Sequence, residues 1–153
     1  MDFKRLIYFR KNKELSQREM ASILNVSKST YARWETGEEI IPLRHFTKFC
    51  LFYKVTMDYV LGISKKNDFN KYDYTKKSSK DDIGINIKKI RTKEKLSQKD
   101  LAKIFNTSQS TISAYENGKT LVLTIFAYQI SREFNISLDE LCGLEKKKVT
   151  IKK

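Results

Sequence analysis

Gly118-Lys119-Thr120 ends like a loop that cradles phosphate, in which glycines let backbone N–H groups close on the anion and a lysine reaches its outer oxygens. That chemistry also needs a glycine five residues before Gly118. Ser113 stands there instead, in a stretch patterned as a helix, so the loop is not made. The sole histidine, His45, has neither a cluster of metal ligands nor a nucleophile elbow near it in sequence, and it reads as a surface or packing residue. Cys50 and Cys142 are far apart, lack a CxxC neighbour and sit among apolar residues. That is the setting of buried thiols in a reducing compartment, not of a zinc site or a disulfide. No enzyme chemistry, metal or cofactor is expected. The remaining capacity to bind is positive charge: a net +13 and a pI near 9.7 suit an anionic partner, nucleic acid above all or a membrane surface.

The charge is uneven. Residues 1–63 carry +4, residues 64–82 carry +2 and residues 83–153 carry +7. Hydrophobic residues make up 40% of the 153, enough for a folded core in one ordinary domain or two small ones. The N-terminus MDFKRLIYFRKNK lacks the apolar stretch and cleavage site of a signal peptide, and no apolar run approaches the length of a membrane span. A cytoplasmic protein without membrane partners is expected.

The elements that must carry the charge are legible from an internal repeat. LSQREMASILNVSKSTYARWETG and LSQKDLAKIFNTSQSTISAYENG begin at Leu15 and Leu96, and residues 6–63 align with 87–144 at a constant shift without a gap. Identical pairs include Arg10/Arg91, Gln17/Gln98, Ala21/Ala102, Asn25/Asn106, Glu35/Glu116, Gly37/Gly118 and Asp58/Asp139. A repeat of this length is a domain duplication and not a solenoid. The expected organisation is a domain over 1–63, a polar linker over 64–82, a second domain over 83–145 and a basic tail over 146–153. Phe69, Tyr72 and Tyr74 give the linker a means of docking.

Apolar residues recur three and four apart in both copies, which predicts helices throughout. Helix one is expected over 2–12 and 84–94. Ser16 and Ser97 cap helix two, with Glu19 and Asp100 three residues on to complete capping boxes. Asn25 and Asn106 tolerate the positive φ of a tight turn. Ser27 and Ser108 cap helix three, and Gly37 and Gly118 end it. Helix four starts near Pro42. A short helix five follows Thr56 and Ser137 and stops at Gly62 and Gly143.

Two short helices around a tight turn, inside a five-helix unit, resemble the Cro/lambda-repressor-type (XRE) helix-turn-helix domains. The residues that carry the resemblance are the small Ala21 and Ala102 at the helix crossing, Asn25 and Asn106 in the turn, Tyr31, Trp34, Ile112 and Tyr115 as core anchors, and the SxSTxxxxExG pattern, present twice. The resemblance covers both copies. It implies an all-α fold of two tandem five-helix domains, and an ion pair in each, Arg10 with Glu35 and Arg91 with Glu116.

It also implies double-stranded DNA as partner, with the third helix of each domain leading into the major groove by its N-terminal residues. The exposed positions would be Lys28, Ser29, Ala32 and Arg33 in the first copy, and Gln109, Ser110, Ser113 and Ala114 in the second. Arginine can grip guanine bidentately and glutamine adenine, so Lys28, Ser29, Arg33, Gln109, Ser110 and Ser113 are the expected base readers. Gln17 and Gln98, at the start of helix two, suit phosphate, with Thr30, Thr111, Asn117 and Lys119 as further backbone contacts. Glu38 and Glu39 depart from the family pattern and would repel phosphate if they faced it. The first reading face is then cationic and the second neutral, which implies unlike half-sites.

Half-sites one helical turn apart are separated by about 34 Å. A flexible chain of 19 residues spans about 25 Å on average and about 63 Å fully extended, so the linker could bridge them. A pseudo-dimer within one chain, direct repeats and a homodimer all fit the sequence. A repressor is the leading expectation for so small a DNA-binding chain. The alternative is an antitoxin or protein-interaction regulator of the same fold, with a protein partner and DNA binding secondary. Membrane-surface attachment lacks a basic amphipathic helix of the right kind.

Overall fold

The computed structural model describes residues 3–75 and 80–148. The first unit holds α1 (Lys4–Asn12), α2 (Gln17–Leu24), α3 (Lys28–Thr36), α4 (Leu43–Tyr53) and α5 (Met57–Val60). The second repeats the order with α6 (Lys80–Lys93), α7 (Gln98–Ile104), α8 (Gln109–Glu116), α9 (Thr124–Phe134) and α10 (Leu138–Leu141). This is the expected all-α tandem architecture. Position 2, where the first helix was expected to begin, lies outside the described residues.

Both units are built on the same caps. The Ser16 hydroxyl accepts the Glu19 N–H at 3.1 Å while the Glu19 carboxylate accepts the Ser16 N–H at 2.7 Å. Ser97 and Asp100 repeat the exchange at 3.0 and 2.9 Å. Each reciprocal cap satisfies two backbone groups that a helix end leaves open. Asn25 and Asn106 turn the chain at φ 61° and 51°. Ser27 and Ser108 then cap α3 and α8. Gly37, at φ 78°, terminates α3 as expected, whereas α8 ends at Glu116 with Asn117 as its cap at φ −91°, and the left-handed residue, Gly118, follows one position later.

The apolar faces meet in one continuous core. Leu6, Met20, Leu24, Tyr31, Ile41, Phe46 and Phe49 are fully enclosed in the first unit, and Ile87, Leu101, Ile112, Ala127 and Leu138 in the second. Full burial of each large side chain contributes about 1.5–3 kcal/mol. Ala21 and Ala102 are buried where α2 and α7 cross α3 and α8.

The units also pack on each other, and they do so through equivalent positions. Pro42 and Leu123, 81 residues apart like the repeat itself, form an antiparallel bridge. The N–H of Leu138, the first residue of α10, donates to Asp58 Oδ1 at 2.9 Å. Reciprocally, the N–H groups of Met57 and Asp58, in the first turn of α5, donate to Asp139 Oδ1 at 3.0 Å and Oδ2 at 3.4 Å. α4 lies against α9, and α5 against α10. The Thr124 hydroxyl donates to the Ile41 carbonyl, and Cys142 Sγ lies 4.0 Å from Met57 Sδ. Position i meets j and j meets i, the signature of a two-fold relation, here within one chain.

The segment expected as a polar linker is anchored through its aromatic residues. Phe69–Lys71 form a 3-10 turn, and Tyr72–Asp73 pair as β1 with β2, Glu145–Lys146, in antiparallel register. Tyr72 is buried, its hydroxyl 3.2 Å from Ser137 Oγ, and the Phe69 and Tyr74 rings stack at 3.9 Å. The helix expected at 84 starts at Lys80, inside the linker range. Within the expected basic tail, Lys146 belongs to β2 and the Lys147 N–H donates to the Lys71 carbonyl at 2.7 Å. The rest of the tail, 149–153, lies outside the described residues.

Candidate nucleic-acid interface

Helices α3 and α8 are braced from behind. Arg10 Nε and Nη2 donate to the two carboxylate oxygens of Glu35 at 2.6 and 3.0 Å, while Nη1 donates to the Leu15 carbonyl at 2.8 Å. One guanidinium thus ties α1, the start of α2 and α3 together. Arg91, Glu116 and Leu96 repeat the geometry at 2.5, 3.1 and 2.8 Å. The side chains of Arg10 and Glu35 are only 11% and 3% exposed. Burial works to raise the Glu35 carboxyl, but the hydrogen bonds from Arg10 and Gln17 outweigh it and the pKa is lowered. Glu116 is lowered in the same balance, with Arg91 and Gln98 as donors. The ion pairs implied by the resemblance are therefore bidentate and partly desolvated, the geometry in which guanidinium–carboxylate pairs are strongest.

Gln17 and Gln98 belong to this brace. Each Nε2 donates to the glutamate behind it at 2.9 Å, Gln17 to Glu35 and Gln98 to Glu116. The expectation placed both amides on phosphate alone. The second N–H of each amide, and the open N–H groups of the first turn, are what is left for an anion.

On the front, Lys28, Ser29 and Arg33 are exposed on α3, and Gln109 and Ser110 on α8, with Ser113 half-buried. Ser29 Oγ and Thr30 Oγ1 lie 3.1 and 2.8 Å from the capping Ser27 Oγ, and Ser110 and Thr111 stand likewise by Ser108 at 2.9 and 2.8 Å. These hydroxyls are ordered by the cap before any ligand arrives. Asn117 donates from Nδ2 to Ser113 Oγ at 3.2 Å, and Lys119 is exposed beyond the helix end.

The first face is less cationic than the sequence suggests. Glu39 Oε1 lies 3.1 Å from Arg33 Nε, with both side chains about half exposed, at 45% and 47%. The acid doubted as a phosphate neighbour is instead the partner of Arg33. A second residue escaped the sequence reading: Arg18, on α2, lines a surface hollow with Asn25, Ser27 and Lys28, over the turn between the two helices. Its equivalent, Lys99, keeps the charge in the second unit, which was the available signal.

A helix-turn-helix family model matches residues 6–60 and again 87–141. The antitoxin PezA of Streptococcus pneumoniae serotype 4 (strain ATCC BAA-334 / TIGR4) is 38% identical over 64 residues, covering 42% of this chain and 40% of the relative. The similarity is thus of about one domain's length, and the chain spans less than half of that protein. No solved structure gives a significant match. Among the described residues, no helix is long and apolar enough to cross a membrane.

Proposed function

The chain belongs to the XRE-type helix-turn-helix family of transcription regulators, and from that premise we propose that it is a sequence-specific double-stranded DNA-binding repressor reading two unlike half-sites. The supporting observation is the contrast between back and front of the reading helices. The Arg–Glu–Gln brace is the same in both units to within a few tenths of an ångström. The residues along their fronts differ: Lys28 and Arg33 in one, Gln109 and the half-buried Ser113 in the other. A common frame with divergent readers suits two different base sequences. Arg33 would hold a guanine edge and Gln109 an adenine edge. Gln17, Gln98, Thr30, Thr111, Asn117 and Lys119 would fix the register on phosphates.

The test is selection of bound duplexes from random DNA with the full chain. It should return an operator with two distinct halves. Arg33→Ala and Gln109→Ala should each lose about 1–3 kcal/mol of discrimination at one position, in different halves. A perfect palindrome occupied by a single chain would count against unlike half-sites.

The similarity to an antitoxin favours a second reading, a regulator whose main partner is another protein. It differs in outcome: DNA binding would be weak and blind to sequence, and Arg33→Ala would change little.

A further inference from the structure

The bonds between the two units connect residues that the repeat makes equivalent. Asp58 caps α10 and Asp139 caps α5, each carboxylate serving the other unit's helix. Pro42 faces Leu123 in an antiparallel bridge, a pairing that an axis between the two residues generates. Met57 and Leu138, also equivalent, are both buried there, as are Ile41 and Val122. The chain between the units is itself anchored, through β1–β2 and the buried Tyr72.

From these contacts we infer that the chain binds DNA as one molecule whose two units are locked in an inverted pair. The half-sites are then opposed in direction, held at one spacing, and both contacted by a single chain. This rests on the DNA-binding reading above and adds its geometry. A 19-residue tether would let the second unit follow a half-site in either direction over a range of spacings. Reciprocal caps across an axis allow one direction and one spacing. The surfaces buried at the axis are also those through which a second copy of either unit would pair in the same way, so the chain has no need of a second copy to complete its operator. The reading helices keep their different side chains, so the bound complex has a polarity that a homodimer on a palindrome lacks.

Two measurements test this. Without DNA, spin labels at Lys11→Cys and Lys93→Cys, both exposed and away from the reading faces, should give one narrow distance distribution, broadened in Asp58→Ala/Asp139→Ala. A broad distribution in the unmodified pair, of the width of a free 19-residue tether, overturns the lock whether or not the protein binds DNA. With DNA, the selected operator should bind one chain per duplex by sedimentation. Reversing one half-site, or inserting three base pairs between the halves, should forfeit engagement of the second unit, a loss of about 100-fold or more. Equal affinity for direct and inverted arrangements, or two chains per duplex, overturns the inference while leaving sequence-specific binding intact. Absence of any selected sequence instead removes the functional reading, and the label distances still decide the lock.

Discussion

The Glu39 carboxylate that holds Arg33 Nε at 3.1 Å sets a negative charge beside the guanidinium proposed to grip a guanine edge. The pair is half exposed, and such pairs contribute roughly 0–1 kcal/mol. Glu39→Gln should therefore tighten binding to the operator by up to about fivefold at low ionic strength, with the gain shrinking as added salt screens the carboxylate. Fluorescence anisotropy titrations at two salt concentrations would check this, and identical affinities at both would show that Glu39 does not compete. In the second unit the positions equivalent to Glu38 and Glu39 are Lys119 and Thr120, so neither carries a carboxylate. The starts of α3 and α8 were legible in the sequence because they follow from local caps: Ser27 and Ser108 set where the two helices begin. Glu39 was not legible as the partner of Arg33. It lies six residues on, past the helix end and Gly37, and only the folded turn brings the two together.

Helices α3 and α8 are each braced from behind by one guanidinium. Removing it strands a carboxylate that is almost wholly enclosed. Arg10→Ala should cost about 3–5 kcal/mol, read as a lower midpoint in urea unfolding, whereas Gln17→Ala, which leaves the ion pair, should cost about 1 kcal/mol. Because Glu35 and Glu116 titrate below their usual value, the brace stabilises at neutral pH and is lost as pH falls through that lowered range. The second unit adds a close approach of its own. A Cβ on Gly84 would stand 2.3 Å from the Tyr115 carbonyl oxygen and 2.8 Å from that of Glu116, at the end of α8. Gly84→Ala should lose about 1–3 kcal/mol despite alanine's better helix propensity, and a stability gain in the same unfolding assay would show that α6 can shift away. Sequence alone placed Gly84 at a helix start without saying why a glycine stands there, since the contact is made with residues 31 and 32 positions further on. Capping boxes and αL asparagines were legible because each is settled within four residues. The two-residue strands and the early start of α6 were not, because they depend on chain segments distant in sequence.

Asp58 and Asp139 join the two scales, since each sits in the first turn of its own helix yet serves the other unit's. Their identity in both copies was visible, but an acid in a first turn is explained locally by the helix dipole, so nothing in the sequence directed attention across 81 residues. Packed together at the axis, they do not behave as ordinary surface carboxylates. Burial pushes Asp139 up to about 6, with the Met57 N–H opposing and the nearby Asp58 carboxylate adding to the rise. Asp58 is raised as well, by burial first and with Glu140 contributing, while bonds from Leu138 and Ser137 pull it down. Tyr72 and Cys142, packed on the same place, stay neutral in this range, both raised mainly by burial. A carboxyl whose folded pKa lies above its unfolded one binds its proton more tightly when folded. The resulting stabilisation is complete below the unfolded value of 3.8 and is lost as pH rises through about 6. For Asp139 the full span is worth up to about 3 kcal/mol. The Arg–Glu braces fail only below 4.5, and His45, whose pKa burial lowers from 6.5, is common to the unmodified chain and an Asp139→Asn variant, so a difference between them over about 4.5 to 6 belongs to the axis. Asp139→Asn keeps an oxygen for the Met57 N–H and removes the charge. Its stability relative to the unmodified chain should climb across that interval, to a plateau above about 6. Urea midpoints at pH 4.5, 5.5 and 7 would reveal it, and two parallel profiles would mean that the Asp139 carboxyl is not what titrates where the units meet.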